Sequence, residues 1–293
     1  MTATLQPVLS ADAMVRDAAG RAFDDLAADW FRSEATFPDD AARVRKRQAL
    51  LNAVAALGFA DALASPDARE AWVDAASILR AQARSAAPID MALLLATGDR
   101  LASIAGDPSL YECAADAGLP GNAQAVLALA LGRCLQICAA LEAALDLSLQ
   151  YVQDRRQFGR PLARFQAIQH SLAIAAEELA ASTALTDLAL ACMVREGCAS
   201  ARLPGLLDAA ALVLGHAIDV VYDASHQAHG AIGFTREYPL HRHSLNLLRW
   251  RDDLQRLRGG ELRCAERLGD AALQAQGVWS AVTALMQPGD RHD

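Results

Sequence analysis

Two stretches of this chain gather residue types that can hold an anion and a flat ring. The first runs Tyr151-Val152-Gln153-Asp154-Arg155-Arg156-Gln157-Phe158-Gly159-Arg160-Pro161-Leu162 and continues through Phe165-Gln166-Ala167-Ile168-Gln169-His170. A helix that ends on Arg155 and Arg156, turns at Gly159 and restarts beyond Pro161 presents guanidinium groups, the Gln157 amide and the Phe158 ring at one junction. Guanidinium forks match phosphate oxygens in pairs, and an aromatic ring beside them suits an anionic ligand with a planar ring system. The second stretch is Gln227-Ala228-His229-Gly230-Ala231-Ile232-Gly233-Phe234-Thr235-Arg236-Glu237-Tyr238-Pro239-Leu240. Its glycines follow a helix end and let backbone approach a ligand closely, while Gln227 can both donate and accept. Each stretch alone also has a plain structural reading, since arginines that end a helix are usually solvated and glycines there usually cap it.

Other chemistries fit less well. His226, His229, His241 and His243 invite a metal, but their spacing is not that of a zinc site and no cysteine or carboxylate stands in register with them. The six cysteines form no Cys-x-x-Cys pair; Cys134 and Cys138, four apart, read as small core residues on one helical face. No P-loop, serine-nucleophile motif or glycine-rich turn after a strand is present.

The elements that must carry these stretches are helices. Apolar spacing and punctuation predict helices over 12–33, 41–56 and 67–86, with acidic residues opening the second and Ser65-Pro66-Asp67 opening the third. Between 87 and 122 the signal breaks into short apolar pieces divided by turn elements at Gly98, Gly106-Asp107-Pro108 and Gly118-Leu119-Pro120-Gly121. Helices return over 123–153, 164–196, 206–227, 239–258 and 261–284. Long helices joined by short connections predict an antiparallel bundle. The expected organisation is an N-terminal helical domain over 1–98, a connector over 99–122, a C-terminal bundle over 123–285 and a tail over 286–293.

Composition agrees. Hydrophobic residues make up 53% of the 293 and aromatics only 5%, with alanine and leucine dominant, which favours an all-α fold with a sizeable core. The net charge of −8 and the lack of a basic block argue against nucleic acid as a partner. The apolar runs 123–152 and 203–222 carry too many polar groups, among them Arg133, Glu142, Asp208 and Asp219, to be membrane spans. With no secretory signal and unpaired cysteines, the expected compartment is the cytoplasm.

Taken together, in this order and about seventy residues apart, the R-x-Q-F-G-x-P-L-x-x-F-Q-x-x-Q-H and Q-x-H-G-x-I-G-F-T-x-E-x-P-L strings resemble the C-terminal helical domain of the acyl-CoA dehydrogenases. The resemblance covers about residues 122–270, and extends weakly to Ala56-Leu57-Gly58-Phe59 and Arg84-Ser85-Ala86-Ala87-Pro88 near the N-terminus. It implies an FAD-dependent oxidation of an acyl-CoA thioester to the 2,3-enoyl-CoA, with an electron-transfer flavoprotein as acceptor. Arg155, Gln157 and Phe158 match residues that hold the diphosphate and adenine side of FAD, and Gln227, Gly230 and Ala231 match the second FAD segment. The family usually has a glycine where this chain has Ala231. Because both segments mostly reach the flavin of a neighbouring subunit, a homo- or hetero-oligomer is implied. The family's middle β-domain has only about residues 99–122 to occupy, which points to a heterotetramer with a longer homologue.

The resemblance leaves the base open. One family position falls at Leu129 and the commoner one by Asp253 and Leu254, so Asp253 and Asp252 are the candidate carboxylates. Glu261, after Gly259-Gly260, is a candidate if the loop is shifted, and Glu237 is expected to support the turn. Asp252 and Asp253 read equally well as a solvated pair on an arginine-rich helix.

Overall fold

A computed structural model of the chain describes residues 13–34, 39–64, 68–97 and 123–287. Helices α1 (Ala13–Glu34), α2 (Asp40–Ala56), α3 (Ala68–Ser85) and α4 (Met91–Thr97) precede a second group: α5 (Ala123–Asp154), α6 (Gln166–Glu196), α7 (Leu203–His229), α8 (Leu240–Arg258), α9 (Glu261–Gln274) and α10 (Val278–Met286). Among the described residues the only strands are β1 (Arg156–Gln157) and β2 (Arg160–Pro161), so the fold is all-α as expected and contains no β-domain there. The connector expected over 99–122 and the turn elements from Gly98 onward lie outside the described residues, as do Ser65-Pro66-Asp67.

Helix ends follow local chemistry. Asp39 caps α2, its carboxylate accepting from the Ala42 N–H at 2.6 Å. The helix expected from 206 starts at Leu203, with Pro204 in its first turn, where its missing N–H costs nothing. The expected helix over 261–284 is two helices. Gln276 takes a φ of 59° and Gly277 one of 150°, while the Gly277 N–H donates to the Ala272 carbonyl at 2.8 Å and that of Gln276 to Leu273 at 3.1 Å. That pair of hydrogen bonds is a Schellman stop, here with glutamine in the left-handed position, and it turns the chain into α10. The short helix α4, within the stretch that showed only broken apolar pieces, starts at Asp90, whose carboxylate accepts from the Leu93 N–H at 3.1 Å.

Helix α5 is the axis of the molecule. It packs against α3, α4, α6, α7 and α8, and every residue from Leu129 to Leu141 is buried. A helix apolar all round has no outward face to give to water. By length and composition Ala123–Asp154 and Leu203–Phe234 are both apolar enough to cross a membrane, but most of each is buried inside the protein, as core helices are.

The few charges in this interior are paired. Asp208 of α7, 1% exposed, accepts from Arg258 of α8 at 2.6 and 2.8 Å and from Arg267 of α9 at 2.7 Å twice. Burial alone would raise its carboxyl, but the hydrogen bonds from Arg267 and Arg258 hold it below its ordinary value. Beyond α9, Leu285 of α10 seats against Gly205, where a Cβ would come within 2.9 Å of it, and its carbonyl accepts from Arg202 at 3.0 Å.

Removing one partner of such a cluster leaves buried charge uncompensated. Asp208→Ala should therefore cost about 3–5 kcal/mol in urea unfolding near neutral pH, whereas exposed Asp252→Ala should stay within about 0.5 kcal/mol. A carboxyl titrating lower in the folded than in the unfolded state stabilises above its unfolded value, near pH 4, and loses that contribution as pH falls through the folded one. The Asp208→Ala penalty should shrink accordingly in acid, read by repeating the urea titration there.

Candidate functional site

The first motif folds as a hairpin projecting from the end of α5. The Arg155 N–H still donates to the Tyr151 carbonyl at 2.8 Å, and the Leu162 N–H returns to the Arg155 carbonyl at 2.9 Å, closing the loop. In between, Arg156 pairs with Pro161 and Gln157 with Arg160. The two turn residues, Phe158 and Gly159, have φ of 53° and 79°. Positive φ at both central positions is the signature of the two-residue loop whose twist matches the strands. Gly159 adopts it freely; Phe158 does so at a cost of order 1 kcal/mol.

That cost is spent on presenting a ring: Phe158 is 88% exposed. Its edge meets Phe165 at 6.1 Å, and the Arg160 guanidinium lies over Phe165 at 4.1 Å. Arg155, Arg156, Gln157, Arg160 and Arg164 are all exposed, and none of these arginines is ion-paired with a described carboxylate. Directly beyond, the first turns of α6 line an open groove with Gln166, Gln169 and His170. The hairpin thus holds outward an aromatic ring on a strained backbone position and several guanidinium groups without an ion-pair partner among the described residues, a fit for a planar, negatively charged ligand.

The second motif closes α7. Gly230 ends the helix at a φ of 64°, and Gly230–Phe234 follows as a 3-10 turn. Gly233 is packed tightly: a Cβ there would come within 3.0 Å of His229 Cβ and 3.2 Å of Leu240. Gln227, Gly230 and Ala231 are exposed. Ala231 does not take positive φ, so alanine in place of the family's usual glycine carries no backbone strain.

Aromatic side chains join the two motifs. Tyr151, one turn before Arg155, stacks on His229 at 4.4 Å, and Tyr238 meets His229 at 4.7 Å and Tyr151 edge-on at 5.6 Å. The Tyr238 hydroxyl reaches the Leu147 carbonyl at 3.4 Å. Sequence reasoning gave these three rings no role. Their signal was position: Tyr151 opens the first stretch, and His229 and Tyr238 stand inside the second.

The candidate bases separate. Asp252 is exposed and lies 3.8 Å from Arg251. Asp253 is buried, 2.9 Å from the Arg133 guanidinium of α5, and also bonded to Arg256. Arg133 in turn bonds Asp90 at 2.6 Å and Gln136 at 2.7 Å, and Gln136 donates to Gln82 of α3 at 2.7 Å. Burial raises the Asp253 carboxyl, against the pull of Arg133 and Arg256, whereas Arg133 overcomes burial at Asp90 and lowers it. Asp253 is therefore not part of a solvated pair. Leu129, and Leu254 next to Asp253, are buried apolar residues. Glu261 is exposed and accepts from Gln255 at 2.9 Å, over Gly215 of α7, and Glu237 is also exposed.

Comparison with known proteins places this geometry. The family model for the acyl-CoA dehydrogenase C-terminal domain matches residues 121–249. The chain is 33% identical over 129 residues to 3-sulfinopropanoyl-CoA desulfinase of Paraburkholderia xenovorans, covering 43% of this chain and 31% of that one. It is 34% identical over 116 residues to the short-chain specific acyl-CoA dehydrogenase of Megasphaera elsdenii, covering 39% and 28%. The matches span less than a third of either relative's own length. Among solved structures, a chain of the ChsE4-ChsE5 complex from Mycobacterium tuberculosis is similar over 91% of this chain and 99% of that one, with a TM-score of 0.66 at 13% identity, a likeness of fold. Over residues 121–249, which hold both motifs and the rings that join them, this chain carries an acyl-CoA dehydrogenase C-terminal domain.

Proposed function

We propose that this chain is a cytoplasmic subunit of an FAD-dependent acyl-CoA dehydrogenase oligomer, and that it completes a flavin site lying across a subunit interface with a longer homologue. The observation that carries this reading is the outward hairpin: Phe158 and its neighbouring arginines face away from their own chain. Arg155, Gln157 and Phe158 would hold the diphosphate and adenine side, with Gln227, Gly230 and Ala231 as the second segment. Guanidinium groups in no ion pair with a described carboxylate are available to phosphate without first breaking one. When bound, the flavin supplies hydride acceptance from an acyl-CoA thioester, and an electron-transfer flavoprotein would take the electrons onward.

The helices around the site favour a supporting rather than a proton-abstracting role. A general base must reach the substrate proton. Asp253 is tied to Arg133 and Arg256 in the interior, and Leu129 and Leu254 carry no carboxylate. The base would then come from the partner. An apolar surface suited to one is at hand: Leu273, Val278 and Trp279 on α9 and α10 are 70–81% exposed. The ChsE4-ChsE5 likeness, to a chain solved within a complex, is in keeping with this arrangement.

Two substitutions in the complex with the longer homologue test the reading. Arg155→Ala should lower flavin occupancy at least about tenfold, the cost of one charge-assisted contact, with the complex still assembled. Asp253→Asn should lower the melting temperature and leave turnover per bound flavin unchanged. Turnover abolished with stability kept would instead make Asp253 the base.

A further inference from the structure

His226 and His229 lie one turn apart at the end of α7, beneath the second motif, and are 6% and 5% exposed. Their hydrogen bonds fix where each proton sits. His229 Nδ1 is 2.8 Å from the Ser225 carbonyl, which can only accept, so Nδ1 carries the hydrogen and Nε2 a lone pair. The Ser244 hydroxyl gives its hydrogen to the Leu240 carbonyl at 3.1 Å; at 2.7 Å it therefore accepts from His226 Nε2, leaving His226 Nδ1 as the lone pair. Neither lone-pair nitrogen has a hydrogen-bond partner among the described residues. A Cβ added at Gly233 would lie 3.2 Å from His226 Nδ1, so the 3-10 turn is folded down onto that atom.

The neighbours of both rings are aromatic rather than acidic. Tyr151 from α5 and Tyr238 flank His229, while Phe234 at 4.1 Å and Tyr222 at 4.3 Å flank His226. Of the charged groups around them, Asp223 on α7 acts on His226, and Asp154 on α5 acts on Tyr238. On α8, His241 Nδ1 lies 2.7 Å from the Tyr238 carbonyl, and His243 is buried, which pushes its pKa down to about 4, with its Nδ1 also without a partner among the described residues. A proton added to either lone pair would bury an imidazolium with an unmet N–H.

We propose that His226 and His229 form an acid-sensitive catch: while neutral, their rings fasten the Gly230–Phe234 turn to Tyr151 and so hold the two motifs in fixed relation, and protonation opens it. Burial keeps both rings below the ordinary histidine value; at His226 the neighbouring His229 adds to this and Asp223 opposes it, and at His229 the bond to Ser225 opposes it. A histidine depressed on folding stabilises fully above its unfolded value, near pH 6.5, and loses that contribution as pH falls below it. The catch bears on flavin binding only through the function proposed above; its opening is a property of this chain.

Amide hydrogen exchange of the full chain, corrected for intrinsic rate, tests it between about pH 7.5 and pH 5.5. Protection across 226–238 should fall by up to roughly tenfold per histidine, so up to about a hundredfold for the pair, for the unit of pH below 6.5, while the Leu129–Leu141 core stays protected. His229→Phe, which keeps a stacking ring, should blunt the fall, and adding His226→Asn should abolish it. A wild-type profile that is flat, or that collapses over the whole chain at once, overturns the proposal, as does a double variant that tracks wild type. If a variant fails to fold, the wild-type profile alone decides. No flavin or partner enters the measurement, so it stands or falls separately from the flavin-site reading.

Discussion

A guanidinium buried in a helix with no solvent face is the constraint on which this architecture turns. Arg133 sits in α5 at 2% exposure, within a run from Leu129 to Leu141 that is buried throughout. An unpaired charge there would cost several kcal/mol. The chain brings Asp90 from the start of α4, Asp253 from α8 and Gln136 from the next turn of α5 onto it, and Gln136 carries the network to Gln82 of α3. Asp90 also caps α4. One interior cation thus ties the start of α4 and the helix α8 to the axis.

The functional consequence runs through Asp253. Asp253 shares the Arg133 guanidinium with Asp90 and is also bonded to Arg256, so its carboxyl is held in the interior rather than on a solvated face. At the far end of the same axis the balance is reversed: the hairpin after α5 displays Arg155, Arg156 and Arg164 with no described acid on any of them. Charge is neutralised where it supports the fold and left open where a ligand can meet it. Between these two regimes stand Tyr151, His229 and Tyr238, whose rings tie the hairpin's helix to the glycine turn.

Most helices were legible because their ends are written locally, in Asp39 before α2 and Gly259 after α8, whereas Pro204, which reads as a separator, stands in the first turn of α7. The split of α9 from α10 was missed because its left-handed position is Gln276, a residue with no turn signature, and the glycine follows one place later. The burial of Asp253 was readable: Leu240, Leu247, Trp250 and Leu254 keep the three-to-four spacing, and Asp253 falls on their face whereas Asp252 does not. Its partner was not readable. Arg133 lies on a helix without a polar stripe, and Asp90 is 43 residues earlier in a stretch with only short apolar pieces. Both motifs were visible as residue strings, but the rings that bring them together became visible only in three dimensions.

The central claim is that the outward motifs serve a flavin held with another chain. The most direct measurement is to purify this chain alone and together with a longer homologue, and to read visible flavin absorbance and mass for each. The account predicts a colourless chain by itself and a yellow complex with fewer flavins than subunits. One flavin per chain in the isolated protein would contradict it.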